Sequence, residues 1–236
     1  TVSIGNEAVN VALQGDFAYV ASRSDGLNVV EVACPYQPLI TSLFTPSGTF
    51  HRDVAVYGDR LYVLGGLLGD GSLTIGSVAD DGTVSEIASV EIADGSDITV
   101  SGDTLYTPFY WPGLDGYGFS SGFYAYDISD PYNISLIFEF SEEVDNAHNA
   151  VCPYGDYILY SDGSTGASDG IRVFHRSDQT GPVTNYPTPG EARDLAIADH
   201  YALVADGTSG VTVVDLTDPA TPALVTTVGV SGEVYE

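Results

Sequence analysis

The side chains best suited to acid–base or metal chemistry fall at matched positions along the 236-residue chain. Asn10, Asp53, Asp97, Ala150 and Asp194 share one recurring position. Ala8, His51, Gly95, His148 and Ala192 stand two residues earlier, with Val9, Arg52, Ser96, Asn149 and Arg193 between. Imidazole with carboxylate binds transition metals, whereas carboxylates with amide and carbonyl oxygens suit calcium. His51, His148, Asp53, Asp97 and Asp194 are therefore candidate ligands for calcium or another divalent metal, and equally a candidate catalytic acid–base set. The plainer alternative is structural: the Asp and Asn side chains bond backbone groups of adjacent repeats, and Arg52 and Arg193 balance their charge.

A second group is aromatic. Phe109–Phe119 carries Tyr110, the single tryptophan Trp111, Tyr117 and Phe119 in eleven residues. Flat aromatic faces suit sugars and peptide side chains, so these four, with Arg52 and Arg193, are candidate ligand-binding residues. A self-packed loop is the alternative. Ser22, Asp162 and Asp206 close the second strand of three repeats and should shape the same face. His175 and His200 read as surface or packing residues. Gly166–Gly170 fits G-x-S-x-G, but a nucleophile elbow needs a strand before it and a helix after it, and here a Gly/Ser loop leads into a strand. Cys34 falls in an outer turn and Cys152 on an inner strand, too far apart to bridge.

The element that must place these residues is a repeat. Asn10–Ala21, Asp53–Leu64, Asp97–Pro108, Ala150–Ser161 and Asp194–Ala205 each read as a short apolar strand, a tight turn and a second strand. Gly-Asp makes that turn in four copies and Asp-His in the fifth. A third strand follows a Gly-rich stretch, beginning at Gly26, Ser72, Gly122, Gly170 and Gly210. A turn rich in Asp and Pro then leads to a more polar fourth strand. Four strands in roughly 44 residues is the unit of a β-propeller. The expected fold is all-β: a single domain over residues 1–236, with about five four-stranded blades around a central channel. Its units start near Ala8, His51, Gly95, His148 and Ala192. Symmetry would bring the first-strand starts together at one channel mouth, and the insertion between Thr107 and Gly122 would lie on that face.

The ends fit one ring imperfectly. Thr1–Gly5 resembles Thr227–Ser231, so both ends offer a fourth strand, and Gly232–Glu236 resembles Gly190–Asp194, the start of a unit. A closed five-bladed ring, a segment of a longer chain and a strand exchanged between molecules all accommodate this. The lack of Met points to a processed or excised chain.

The run of apolar strand, Gly-Asp, Leu-Tyr-Val-Ala, Gly-Val-x-Val-Val-Asp-Leu and Asp-Pro-x-x-Pro resembles the LVIVD-repeat β-propeller family. The fifth unit matches best, and unit two departs at Ile75–Gly82. The resemblance implies a secreted or surface propeller without implying one chemistry.

Composition narrows the function. Thirty-three Asp and Glu against six Lys and Arg leave a net charge of −27, which repels nucleic acid. No apolar run approaches the roughly 20 residues of a membrane helix, so no membrane insertion is expected. Extreme acidity without Lys fits an extracellular or cell-surface setting in saline medium. The leading expectation is a noncatalytic module that binds a protein, a glycan or a neighbouring subunit through the mouth face, with calcium as a structural ion. A metal-dependent hydrolase or lyase at the channel mouth is the alternative.

Overall fold

The computed structural model describes residues 7–23, 25–34, 36–46, 50–67, 70–112, 119–144, 150–163, 170–178 and 180–235. They form twenty strands in five four-stranded antiparallel sheets. The first sheet holds β1 (Ala8–Gln14), β2 (Phe17–Ser22), β3 (Gly26–Glu31) and β4 (Leu39–Phe44). The second holds β5 (Asp53–Tyr57), β6 (Arg60–Leu67), β7 (Asp70–Val78) and β8 (Val84–Ile92). The third holds β9 (Thr99–Ser101), β10 (Thr104–Pro112), β11 (Phe119–Asp127) and β12 (Ser135–Val144). In the fourth are β13 (Val151–Tyr154), β14 (Tyr157–Asp162), β15 (Gly170–His175) and β16 (Thr184–Pro187). In the fifth are β17 (Asp194–Ala198), β18 (Tyr201–Ala205), β19 (Val211–Asp215) and β20 (Ala223–Val228). Strand order within every sheet follows the chain, as in a propeller blade.

The chain divides into two compact units, Thr1–Thr107 with Ala125–Ile137, and Pro108–Tyr124 with Phe138–Glu236. In the first, Tyr19, Ala21, Leu27 and Val29 of blade one pack on Val54, Leu61 and Val63 of blade two. In the second, Leu159, Ile171 and Val173 of blade four pack on Leu195, Ala202, Val204 and Val214 of blade five. Phe123 joins Phe138, Phe140 and Phe174 there in an aromatic cluster.

Three local devices recur, and each explains a feature of the repeat. The first turn needs a left-handed residue: Gly15, Gly58, Gly102 and Gly155 have φ between 56° and 62°, and Asp199 takes φ 59° in the fifth blade. The backbone N–H groups of Val32, Val78, Ile128, Arg176 and Leu216 donate to the carbonyls of Asp16, Asp59, Asp103, Asp156 and His200, tying each third strand to that turn. Where the third strand begins, the fourth passes so close that a Cβ on Gly210 would lie 2.2 Å from the Val228 carbonyl oxygen. Gly26, Gly71, Gly122 and Gly170 meet their own fourth strands in the same way.

The aromatic insertion is not simply a loop. Its first part extends β10 to Pro112, and β11 already begins at Phe119. Residues 113–118, Tyr117 among them, lie outside the described residues, as do residues 1–6, which include the expected spare N-terminal strand.

Candidate functional site

Asp53 opens β5 and is buried. Its Oδ1 accepts the Val54 N–H at 2.7 Å and its Oδ2 the Ile98 N–H at 2.6 Å. Ile98 N–H also donates to Asp97 Oδ1 at 2.7 Å, so one amide joins the aspartates of neighbouring blades. Burial raises the Asp53 pKa well above the ordinary carboxyl range. A hydrogen bond with Asp97 and the Asp97 charge raise it further, against the opposing pull of the Ile98 and Val54 amides. The Ile98 amide, bonded to both carboxyls, stitches blade two to blade three. Asp194 accepts the Leu195 N–H at 2.7 Å, repeating the contact of Asp53 with Val54. Asn10 makes the same contact with the Val11 N–H in the first blade.

His51 is buried, its backbone N–H donating to the Arg23 carbonyl at 3.0 Å. Burial lowers its pKa. The Ser22 and Pro46 carbonyls lie near enough to favour the charged ring, but neither ring nitrogen makes a well-formed hydrogen bond to a described residue. The imidazole is held neutral against the first blade. His148 lies outside the described residues. Among the described residues, no three of His, Cys, Asp and Glu converge so as to hold a metal ion.

The two arginines have partners that the spacing did not reveal. Arg52 bonds the buried Asp94 carboxylate and, at 2.8 Å, the Gly95 carbonyl. Arg193 pairs with Glu191 at 2.8 Å and Glu233 at 3.0 Å and lies over the Tyr235 ring at 4.3 Å. Glu233 stands at the offset of Glu191 one repeat later, which was the available signal. The Val234 N–H also donates to the Gly207 carbonyl, the contact that His51 makes with Arg23. The segment after β20 thus lies on blade five as the start of a unit lies on the blade before it.

Ser22, Asp162 and Asp206 have one shared role. Each accepts from a side chain near the start of the third strand: Asn28 Nδ2 at 3.1 Å, Arg172 Nη2 at 2.6 Å and Thr212 Oγ1 at 2.7 Å. Arg172 also binds Glu142 at 2.6 Å, and burial pushes the Glu142 pKa up to about 7 despite the guanidinium beside it. His175 bonds the Ser177 hydroxyl, His200 pairs with Asp199, and both cysteines are free. Burial, with the Asp194 charge, pushes the Cys152 thiol up to about 11, so it is no thiolate nucleophile. Of the aromatic group, Phe109 is buried and stacks on Tyr124 at 4.4 Å between centroids, while Tyr110 is half-buried. Trp111 and Phe119 lie on β10 and β11, with side chains outside the description.

The LVIVD repeat profile matches residues 5–42 and 189–230, the first and fifth blades. The chain is a β-propeller that carries LVIVD repeats. No curated protein matches this LVIVD-repeat chain. Among solved structures it is similar to the WD40 β-propeller domain of Doa1, at 11% identity and TM-score 0.66, over 98% of this chain and 71% of that one. It is also similar to a chain of a nidogen/laminin complex, at 11% identity and TM-score 0.59, over 97% and 82% of the two chains. A third likeness is to the periplasmic gluconolactonase PpgL of Pseudomonas aeruginosa, at 11% identity and TM-score 0.56, over 99% and 88%. At these identities the likeness is one of fold, which serves recognition and catalysis alike. No described helix is long and apolar enough to cross a membrane.

Proposed function

We propose that this LVIVD-repeat propeller is a noncatalytic binding module that recognises a protein or a glycan in a saline extracellular or cell-surface setting. The observation that carries the reading is the state of the acid–base residues. Asp53 and Asp97 bind backbone amides and each other, and Arg52 and Arg193 neutralise neighbouring carboxylates. Groups engaged in this way hold blades together. The β10–β11 hairpin, which carries Tyr110 and Trp111, is the element left for recognition, since hairpin tips on a rigid sheet tolerate variation and supply aromatic contact area. The acidic composition suits a saline medium, where screening shortens the reach of self-repulsion.

The test is a glycan and matrix-protein microarray read with labelled native chain, Tyr110→Ala and a His51→Ala/His148→Ala double variant, beside calorimetric titration of calcium and zinc. Capture that falls in Tyr110→Ala and survives in the histidine variant supports the reading. Tight transition-metal binding lost in the histidine variant, together with metal-dependent hydrolysis of a lactone, would overturn it in favour of the hydrolase.

A further inference from the structure

The turn between β11 and β12 departs from the repeat in a way that changes its chemistry. Blade five reads Asp218-Pro219-Ala220-Thr221-Pro222-Ala223 at this point, and blade one Cys34-Pro35-Tyr36-Gln37-Pro38-Leu39. Blade three reads Asp130-Pro131-Tyr132-Asn133-Ile134-Ser135. The backbone of the turn is the same. The Asn133 N–H donates to the Asp130 carbonyl at 3.0 Å, as the Thr221 N–H does to the Asp218 carbonyl at 3.0 Å. The Asp130 carboxylate accepts the Tyr132 N–H at 3.0 Å, and the Asp218 carboxylate the Ala220 N–H at 3.1 Å. What differs is the side chain at the fourth position. The Thr221 hydroxyl bonds back to the Asp218 carboxylate at 2.9 Å, whereas the Asn133 side chain is exposed and its amide makes no hydrogen bond among the described residues.

We propose that Asn133 is an N-glycosylation site. An acceptor asparagine needs a residue other than Pro after it and Ser or Thr after that, on an accessible surface turn. Blades one and five carry Pro38 and Pro222 in the middle position, which alone would block transfer. Blade three replaces that Pro with Ile134, puts Asn133 before it and exposed Ser135 after it, so three departures from the repeat coincide in one acceptor sequence. No other asparagine of the chain has Ser or Thr two residues on. In the transfer, Asn133 Nδ2 bonds to the anomeric carbon of a lipid-linked oligosaccharide. The anomeric C–O bond to the lipid phosphate breaks, its electron pair leaves on the phosphate, and the amide gives up one proton. The site also adjoins apolar surface: β12 is an edge strand, and Tyr132, Leu136 and Ile137 near its start are exposed. A bulky polar group at the turn would shield that edge from pairing with another chain. The proposal rests on the extracellular reading and concerns a glycan that the chain carries, not one that it recognises.

The experiment secretes the full chain, Asn133→Gln, Ile134→Pro, Ser135→Ala and Ser135→Thr from a glycosylating host and reads intact mass and the Asp-N peptide beginning at Asp130. Ile134→Pro restores the pattern that blades one and five already fold with, so it removes the acceptor and keeps the turn. We expect the native chain to carry one glycan on Asn133, complete loss of it in the Gln, Pro and Ala variants, and a larger glycosylated fraction in Ser135→Thr. The same peptide is read from chain recovered from its native cells. A chain without glycan in both settings, or a glycan that survives Asn133→Gln or Ile134→Pro, overturns the proposal alone. Glycan in the secreting host with a bare peptide from the native cells would instead overturn the extracellular reading, and the proposal with it.

Discussion

Asp53 and Asp97 show how one position can read as catalytic and act as a joint. Desolvation and a neighbouring carboxylate raise a carboxyl pKa whether or not a substrate is present, so perturbation alone does not separate catalyst from scaffold. The amides do separate them, because Val54 and Ile98 already occupy both Asp53 oxygens. A raised folded-state pKa means that the stability this pair confers is complete below the ordinary carboxyl value near ~4 and is lost as pH climbs toward the folded-state value. Asp97→Asn should remove that loss. Its amide oxygen can keep the Ile98 contact while its NH₂ donates to an ionised Asp53, and the first blade already uses Asn10 at this position. Urea unfolding at pH 8 should show the variant more stable than the native chain by on the order of 1–2 kcal/mol, with no gain near pH 5. A variant weaker at pH 8 would mean that the Asp53 carboxyl is already ionised there. His51 acts with the opposite sign, since its pKa is lowered: it costs stability only as pH falls below about 6.5, outside the alkaline window.

At the scale of strands, two contacts make separate predictions. Glu142 of β12 and Asp162 of β14 share Arg172 of β15, leaving one negative charge in excess in a half-buried site. With Glu142 raised to about 7, native stability should fall as pH rises from the ordinary glutamate value near 4.5 to 7. Glu142→Gln keeps an acceptor for Arg172 and should flatten that slope, gaining on the order of 2 kcal/mol at pH 7.5 in chemical denaturation, whereas an unchanged slope would place the titration elsewhere. Gly210→Ala should cost on the order of 2–4 kcal/mol, because its Cβ would strike the Val228 carbonyl and its φ of +95° is disfavoured for alanine. Hydrogen exchange should speed first in β19 and β20. If it speeds evenly through all blades instead, the glycine is not the local constraint. These glycines, the turn and the strand lengths were legible because each recurs at a fixed offset, and a repeat shows its rules by repetition. What recurs only in space was not legible. Asp94 gives no sign that it receives Arg52, nor Glu142 that it receives Arg172, since the partners lie on different strands with no shared spacing. The insertion after Thr107 read as a loop because Pro and Gly interrupt it, yet β10 runs through to Pro112, the Pro closing the strand where no further ladder donor is needed.

The whole molecule is set by its charge. Thirty-three acidic residues face six arginines, and described arginines such as Arg23, Arg52, Arg172 and Arg193 are already paired with carboxylates, so most of the negative charge has no internal counterpart. Folding crowds these charges closer than the unfolded chain does, and the resulting repulsion acts against the native state. Screening relieves it: the Debye length shrinks from about 10 Å at 0.1 M salt to about 3 Å at 1 M. The melting temperature should therefore rise by several degrees over that range in sodium chloride, a shift corresponding to roughly 1–2 kcal/mol for a chain of this size. The same experiment in sucrose separates screening from preferential exclusion, which acts on neutral proteins too. Sodium chloride should stabilise beyond the effect of sucrose, and most steeply at low salt, where the Debye length changes fastest. A flat or falling curve in sodium chloride would mean that the carboxylates are neutralised inside the fold rather than by the medium, and would remove the physical ground for a saline habitat.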